Sequence, residues 1–444
     1  KKIKIRNSEI HTKNIKKNDI FFGLKGRKTN GSLYSKKAIQ KGASIAVINK
    51  KVSYMGKKII KQKNVIKTLS DFAKSIRSSS TINAVCITGS SGKTSVKEIL
   101  GQTLSKISKT DFSNKSFNNK IGVPLSLAKI NQNSEFGVFE VGMDKKGEID
   151  ELSKIIKPEV GLITNISYAH AKNFKSLKAI AEAKSELINN IKTNGYMILN
   201  SNDNFYNYFK LKAKKRKLNV ISFGNKSFSN IKFLNIKKFI NNSILNIELN
   251  KKKYTFKISK EIENYIENIL STISVISIYF EIDKLDKNIF LNLKPQQGRG
   301  DISKIKIGNK KITLIDESYN SNPSSLKFAI NNFENINVNS SKKKILLGDM
   351  LELGKFSKQL HQEAARHINS KNVGKLYAFG KHIRFTYNKI RPQKKGKYFK
   401  SKNEMIDFFN EDLDDGDYLM IKGSNSTGLN DLSIKLKNGS INAL

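Results

Sequence analysis

The sequence predicts an α/β fold in three domains: a small N-terminal α/β domain, a central domain whose mostly parallel sheet opens on a glycine-rich loop, and a C-terminal Rossmann-like domain. Three observations lead there. At 444 residues the chain exceeds one ordinary core. Short apolar runs alternate with stretches of helical periodicity, the pattern of a parallel sheet covered on both faces. Two breaks interrupt that alternation: the small polar segment Arg77-Ser78-Ser79-Ser80-Thr81 and the turn-rich Pro295-Gln296-Gln297-Gly298-Arg299-Gly300. They divide the chain into 1–80, 81–298 and 299–444.

Within the central domain, Ala84 to Thr88, Gly137 to Gly142, Val160 to Ile166 and Tyr196 to Asn200 read as strands separated by helices. Val96, Ile99, Leu100, Leu104 and Ile107 recur at helical spacing after the first strand, and a second helix runs from Ile262 to Phe280. Past the second break the style changes to a hairpin, Ile302 to Ile307 and Lys311 to Ile315 about Gly308-Asn309. Strands near Lys344 to Leu347, Leu376 to Phe379 and Tyr418 to Ile421 then continue a smaller doubly wound unit. The lysine clusters Lys212 to Lys217 and Lys342 to Lys344 read as surface.

Composition excludes several classes. The longest apolar stretch, Ile269 to Phe280, falls short of the roughly eighteen residues of a membrane span and is broken by Ser and Thr. Lys1 to Ile10 lack the apolar centre of a secretory leader. The single cysteine, Cys86, lies inside an apolar run, so a buried thiol and a cytoplasmic setting are expected. A net charge of +45 by itself suggests nucleic acid. Arg, however, occurs only at positions 6, 27, 77, 216, 299, 366, 384 and 391, so the charge is nearly all Lys, without Arg forks or interleaved aromatic platforms. No nucleic-acid partner is expected. The lysines read as solvated faces that also attract anionic nucleotide substrates.

The clearest chemistry lies in Val85-Cys86-Ile87-Thr88-Gly89-Ser90-Ser91-Gly92-Lys93-Thr94-Ser95, a P-loop between a strand and an amphipathic helix. The amides of Gly89, Ser90, Ser91, Gly92 and Ser95 can face phosphate oxygens at the helix start, Lys93 meets the β and γ phosphates of ATP, and Thr94 offers a hydroxyl to Mg²⁺. An ordinary Gly-Ser turn is the plain alternative, and the strand-turn-helix order argues against it. Ile87 stands where the longer P-loop pattern has glycine, so the spacing is the short Gly-x-x-Gly-Lys-Thr form. Read one at a time, the other candidates have ordinary explanations. Glu140 is a strand-end carboxylate, His170 a loop histidine, Arg299 a linker charge, Asn268 a helix amide, Lys184 a solvated helix lysine, and Tyr319, Asn320 and Asn322 turn residues.

The short loop resembles that of the Mur ligases and their folate-ligase relatives, and the resemblance extends over nearly the whole chain. It is carried by Asp19 to Gly26 with Asn30-Gly31, by Asn118-Asn119-Lys120-Ile121-Gly122-Val123-Pro124, by Glu140-Val141-Gly142-Met143, and by Thr164-Asn165 leading to Ala169-His170. Ala181 to Glu186, Gly298-Arg299, Asp316 to Ser325 and Leu347-Gly348-Asp349-Met350-Leu351-Glu352-Leu353-Gly354 extend it. Sister ligases that add a diamino acid carry Ala-His where this chain has Tyr319-Asn320, and their Asn-Pro-Arg motif is absent. That contrast points to the branch joining D-alanyl-D-alanine to a UDP-N-acetylmuramoyl-tripeptide.

The resemblance implies an ATP-dependent ligase working through an acyl phosphate in peptidoglycan synthesis. The first domain is implied to bind the UDP-peptide, with Thr12, Lys13, Lys25 and Gly26 at the substrate. Asn118 and Asn119 join the loop around ATP, Asn268 meets the adenine, Asp316 the ribose and Arg299 the phosphates. Two Mg²⁺ ions are implied, held by Thr94, Glu140, His170 and Lys184, the last as a carbamate formed from CO₂. Lys93, Lys184, His170, Glu140 and Arg299 are the implied catalytic group, and Tyr319, Asn320, Asn322 and Lys422 face the substrate. A monomer is expected. The departures are His11-Thr12-Lys13 for Asp-Ser/Thr-Arg, Asn264 for His, and Asn425 for Arg in Lys422 to Ser426. The alternatives are another Mur or folylpolyglutamate-type amide ligase and a nucleic-acid-binding P-loop ATPase.

Overall fold

A computed structural model describes residues 5–439 apart from 27, 54, 55, 114 and 115, so the opening 1–4 of the leader reading lie outside the described residues. The first sheet is four parallel strands in chain order, β1 (Ser8–Glu9), β2 (Ile20–Phe22), β3 (Ile45–Ile48) and β4 (Ile59–Lys61). The second contains β5 (Asn83–Thr88), β6 (Thr110–Phe112), β7 (Phe136–Glu140), β8 (Val160–Ile163), β9 (Tyr196–Asn200), β10 (Asn219–Gly224), β11 (Ile231–Lys238), β12 (Asn242–Leu249) and β13 (Lys252–Ser259). Its order is β6-β7-β5-β8-β9-β10-β11-β12-β13, parallel as far as β11 and antiparallel beyond. The third contains β14 (Asp301–Ile307), β15 (Lys310–Glu317), β16 (Lys343–Gly348), β17 (Leu376–Phe379), β18 (Lys395–Phe399) and β19 (Tyr418–Lys422), in the order β14-β15-β19-β16-β17-β18. Only the β14–β15 hairpin about Gly308-Asn309 is antiparallel there.

Alternation along β5 decides which layers meet the central sheet. Val85 and Ile87 face one core with Val96, Ile99 and Leu100 of the loop helix and with Ile269 and Ile273. Ala84 and Cys86 face the other, with Leu152 and Ile156. Burial pushes the Cys86 thiol up, leaving it protonated and inert as expected from its apolar run.

The helix Val65–Ser79 buries Val65, Leu69, Ala73 and Arg77 at four-residue spacing. It precedes the break near Ser80, yet these apolar residues share a core with Ala84, Leu152 and Ile156 of the central layer. Full burial of a side chain such as Leu69 is worth about 1.5–3 kcal/mol. Arg77 ends the helix by donating to the carbonyls of Ile156 (2.6 Å) and Lys157 (3.0 Å) and pairing with Glu159 at 2.9 Å. Removing one partner of such a buried pair costs about 3–5 kcal/mol.

One expectation needs correction here. Lys343 and Lys344 are not surface lysines. They open β16 in the interior of the third sheet, where Lys343 donates to the Glu334 carbonyl at 2.6 Å and Lys344 lies 3.9 Å from Asp417. Parallel pairing with β17 and β19 on either side forces them inward. The central sheet is mostly parallel, as expected, and ends on the antiparallel pairs β11–β12 and β12–β13.

Candidate functional site

A cavity of about 900 Å³ opens where the carboxyl ends of the central strands meet the third sheet. The loop Gly89 to Ser95 forms its floor. Gly89 adopts φ +149° with Thr164 so close that a Cβ would lie 1.8 Å from its hydroxyl oxygen, and Gly92 starts the helix Lys93–Leu104 at φ +80°. Lack of space excludes a side chain at Gly89 and the left-handed backbone disfavours one at Gly92, so the loop backbone lies open to whatever sits above it. Asn165 holds the loop from behind, its Oδ1 accepting from Ser91 N (3.1 Å) and Ser91 Oγ (3.0 Å). Ser90 Oγ donates to the Ser167 carbonyl at 2.9 Å.

Thr94, Ser116, Asn118 and Glu140 form one network. The Thr94 hydroxyl donates to Glu140 Oε2 at 2.7 Å and lies 3.1 Å from Ser116 Oγ, while Asn118 Nδ2 donates to Glu140 Oε1 at 2.7 Å. Glu140 is only 1% exposed and ends β7, so a strand fixes it in place. The hydroxyls and carboxylate are hard oxygen donors suited to Mg²⁺. Asn119 makes the turn into the helix Gly122–Leu127, its Oδ1 accepting from Gly122 N at 3.0 Å.

Lys93 donates to the Gly89 carbonyl at 2.8 Å, and burial lowers its pKa, opposed by Glu140 and reinforced by Arg299. Lys184 is 2% exposed at the end of the helix Leu177–Lys184. The solvated reading of this lysine is therefore wrong. Burial holds its amine well below the usual lysine range, with Lys93 pushing the same way and Glu140 opposing.

The third sheet supplies the facing wall. Arg299 lies 4.2 Å from the centre of the Tyr319 ring and its Nη2 donates to Ser116 Oγ at 3.2 Å, so it links the two walls. Asn322 caps the helix Pro323–Glu334 through its Oδ1 and donates its Nδ2 to the Ser90 carbonyl at 3.3 Å. Turn chemistry and contact with the phosphate loop coexist in that one side chain. Lys422, 2% exposed, donates to Glu317 Oε2 and to the Asn320 carbonyl, both at 3.1 Å. Asn268 lines the cavity beside Gly92, and Asn264 and Asn425 line it too.

His170 lines the cavity at φ +55°, its Nδ1 2.5 Å from Glu352 and 3.5 Å from Asp144. Ligand atoms of these three residues all lie within 4.8 Å of one another. The implied metal set thus falls into two groups, with Thr94, Glu140 and the nearby Lys184 in one and His170 in the other.

Some expected residues lie elsewhere. Asp316 is fully buried and outside the cavity lining, its oxygens taken by Ser318 N (3.0 Å) and Lys437 Nζ (2.5 Å). A ribose contact is not available to it in this arrangement, because β14 and the helix Leu429–Lys437 cover it, and its neighbour Glu317 faces the cavity instead. Thr12, Lys13, Lys25 and Gly26 belong to the first sheet's loops and do not line the cavity. Sequence reading missed Asp144, Asn165, Glu317 and Glu352 as individual residues. Asn165, Glu317 and Glu352 lay inside quoted motifs, whereas no local pattern signals that Tyr265 and Phe328 meet across the cavity edge at 5.6 Å.

Comparison with known proteins adds an independent line. Residues 87–276 match the family model of the Mur ligase middle domain and residues 303–425 that of the Mur ligase glutamate ligase domain. The UDP-N-acetylmuramoyl-tripeptide--D-alanyl-D-alanine ligase of Rickettsia prowazekii is 32% identical over 95% of this chain and 93% of its own. The enzyme of that name from Borreliella burgdorferi is 31% identical over 94% and 89%. Among solved structures, MurF from Acinetobacter baumannii superimposes with a TM-score of 0.83 at 22% identity, covering 98% of this chain and 94% of the other. MurF from Thermotoga maritima in complex with ADP gives 0.82 at 23% identity, covering 99% of both. At such identity the likeness is one of fold. No helix among the described residues is long and apolar enough to cross a membrane.

Proposed function

The chain belongs to the Mur ligase family, and from that premise we propose that it is the ATP-dependent ligase joining D-alanyl-D-alanine to UDP-N-acetylmuramoyl-tripeptide. One observation carries the reading: the phosphate loop of the central sheet and the Tyr319-Asn320-Ser321-Asn322 turn of the third sheet face each other across a single cavity. In the reaction a tripeptide carboxylate oxygen attacks the γ-phosphorus of ATP as the bond to ADP breaks. The dipeptide amine then attacks the acyl carbon, phosphate leaves and the amine loses a proton. Lys93 and Arg299 offset charge on the phosphoryl oxygens, and the two walls exclude water from the acyl phosphate. Mg²⁺, when bound, neutralises part of the triphosphate charge. Thr94 and Glu140 are the donors we assign to one ion, and His170 to a second.

We assign Lys184 as the carbamate-bearing lysine, because burial lowers the pKa of its amine and the unprotonated amine is the form that adds CO₂. The amine nitrogen bonds to the carbon of CO₂ and loses a proton, giving the side chain an anionic oxygen donor for Mg²⁺. Working domains of 1–80 for the UDP-peptide, 81–298 for ATP and 299–444 for closure complete the proposal, with Asn268 assigned to the adenine and Thr12, Lys13, Lys25 and Gly26 to the nucleotide substrate. We place the enzyme in the cytoplasm and expect a monomer.

Phosphate release is the test. It should require UDP-N-acetylmuramoyl-tripeptide and D-alanyl-D-alanine together. Release stimulated by DNA or RNA and abolished steeply by salt would instead favour a nucleic-acid ATPase.

A further inference from the structure

Arg299 reaches the cavity from the turn that precedes β14, and the backbone of that turn is bonded on several sides. Gly298 N donates to Asp301 Oδ1 at 2.5 Å and Arg299 N to the Gln296 carbonyl at 3.0 Å. Gly300 N donates to the Asp316 carbonyl at 2.7 Å, Tyr319 N to the Gly298 carbonyl at 3.0 Å, and Tyr265 Oη to the Arg299 carbonyl at 2.5 Å. Of these bonds, only that of Gly298 N depends on a charged side chain. That carboxylate does not stand alone. Asp301 opens β14 directly opposite Asp316 of β15, and like charges in such a pair repel each other. Lys437, the last residue of the helix Leu429–Lys437, enters between them, its Nζ donating to Asp301 Oδ2 and to Asp316 Oδ2, both at 2.5 Å. Asp316 is fully buried and Lys437 only 13% exposed, so water screens these charges poorly. Asp301 thus divides its oxygens, one for the turn and one for the ammonium. Neither Asp301 nor Lys437 lines the cavity.

We infer that Asp301 and Lys437 are positioning residues, which hold the turn so that the Arg299 guanidinium stays against the Tyr319 ring and within reach of Ser116. Bridged by the ammonium, the two carboxylates sit side by side. Without it they part, and Asp301 Oδ1 leaves the Gly298 amide. The turn has little stiffness of its own to resist this, because Gly298 at φ +76° and Gly300 at φ +89° flank Arg299 with no side chain to restrict them. A displacement of about 1 Å in a group that must meet the reacting phosphate can cost ~100-fold in rate. The helix Leu429–Lys437 thereby acts on the phosphates through Arg299 without touching them. The inference rests on the ligase reading above.

The test sets two substitutions of one carboxylate against each other. Asp301→Ala removes the acceptor of Gly298 N and should lower kcat about 10- to 100-fold, with KM for ATP nearly unchanged. Asp301→Asn loses the same charge but keeps an oxygen for that amide, and should lose less than about threefold. Lys437→Met should lower kcat as Asp301→Ala does, and adding Asp301→Asn to it should restore most of the loss, because a single carboxylate needs no bridge. In an Arg299→Ala background, Asp301→Ala should add less than about a twofold loss, since both changes act through one guanidinium. In the substrate-free chain, amide exchange should quicken at 298–300 in Asp301→Ala and Lys437→Met, while the helix Lys93–Leu104 exchanges as in the wild type. Equal kcat in the Ala and Asn variants, losses that multiply with Arg299→Ala, or unaltered exchange at the turn would each overturn the proposal. Should Lys437→Met not fold, the two Asp301 variants decide. A wild-type chain that fails to release phosphate with both substrates would instead overturn the ligase reading, and the exchange measurement would still judge the turn.

Discussion

The two walls of the cavity are built differently. The central wall is held from within: Thr94 and Asn118 each donate to Glu140 at 2.7 Å, Asn165 grips the loop, and Lys184 is buried. Its geometry exists before any partner arrives. The C-terminal wall touches the loop network through a few longer contacts, Asn322 to the Ser90 carbonyl at 3.3 Å and Arg299 to Ser116 at 3.2 Å. The first wall is rigid because β5, β7 and β8 end there side by side, and the second is positioned only by docking. Chemistry that must wait for substrate is well served by this division.

Substitutions that separate the walls should differ in size. The largest effect is expected for Lys93→Ala, a loss of at least ~100-fold in turnover with an unchanged melting temperature, since the ammonium acts on developing charge. Turnover above about a tenth of wild type would remove the phosphate-loop assignment and with it the primacy of the central wall. Next comes Lys184→Ala, which should be nearly inactive and partly restored by short carboxylates, with wild-type activity falling as CO₂ is stripped. Full activity in CO₂-free buffer would end the carbamate assignment. Asn322→Ala should be mildest, because it removes one loop contact worth about 0.5–1.5 kcal/mol and a helix cap worth ~1 kcal/mol while the loop keeps its own bonds. X-ray scattering should show the wild type compacting with an ATP analogue and UDP-peptide, and the variant compacting less. Identical profiles with and without ligands would mean that the walls do not move.

Local pattern determined a good deal by itself. The strand, loop and helix from Asn83 to Leu104, the strand Tyr196–Asn200 and the hairpin about Gly308-Asn309 follow from periodicity and turn chemistry, which act over a few residues. The loop's function was legible for the same reason, because phosphate binding needs glycines and a lysine at fixed spacing. Tertiary structure decided the rest. Lys184 and Lys343 look like any other lysine in a chain with 82 basic residues, and only the packing of distant helices and strands buries them. Asp316 and Glu317 are neighbours of similar chemistry. Strand alternation turns one toward Lys437 and the other toward the cavity. His170 and Glu352 stand far apart in the chain, so their contact depends on how two sheets dock, which no local spacing encodes.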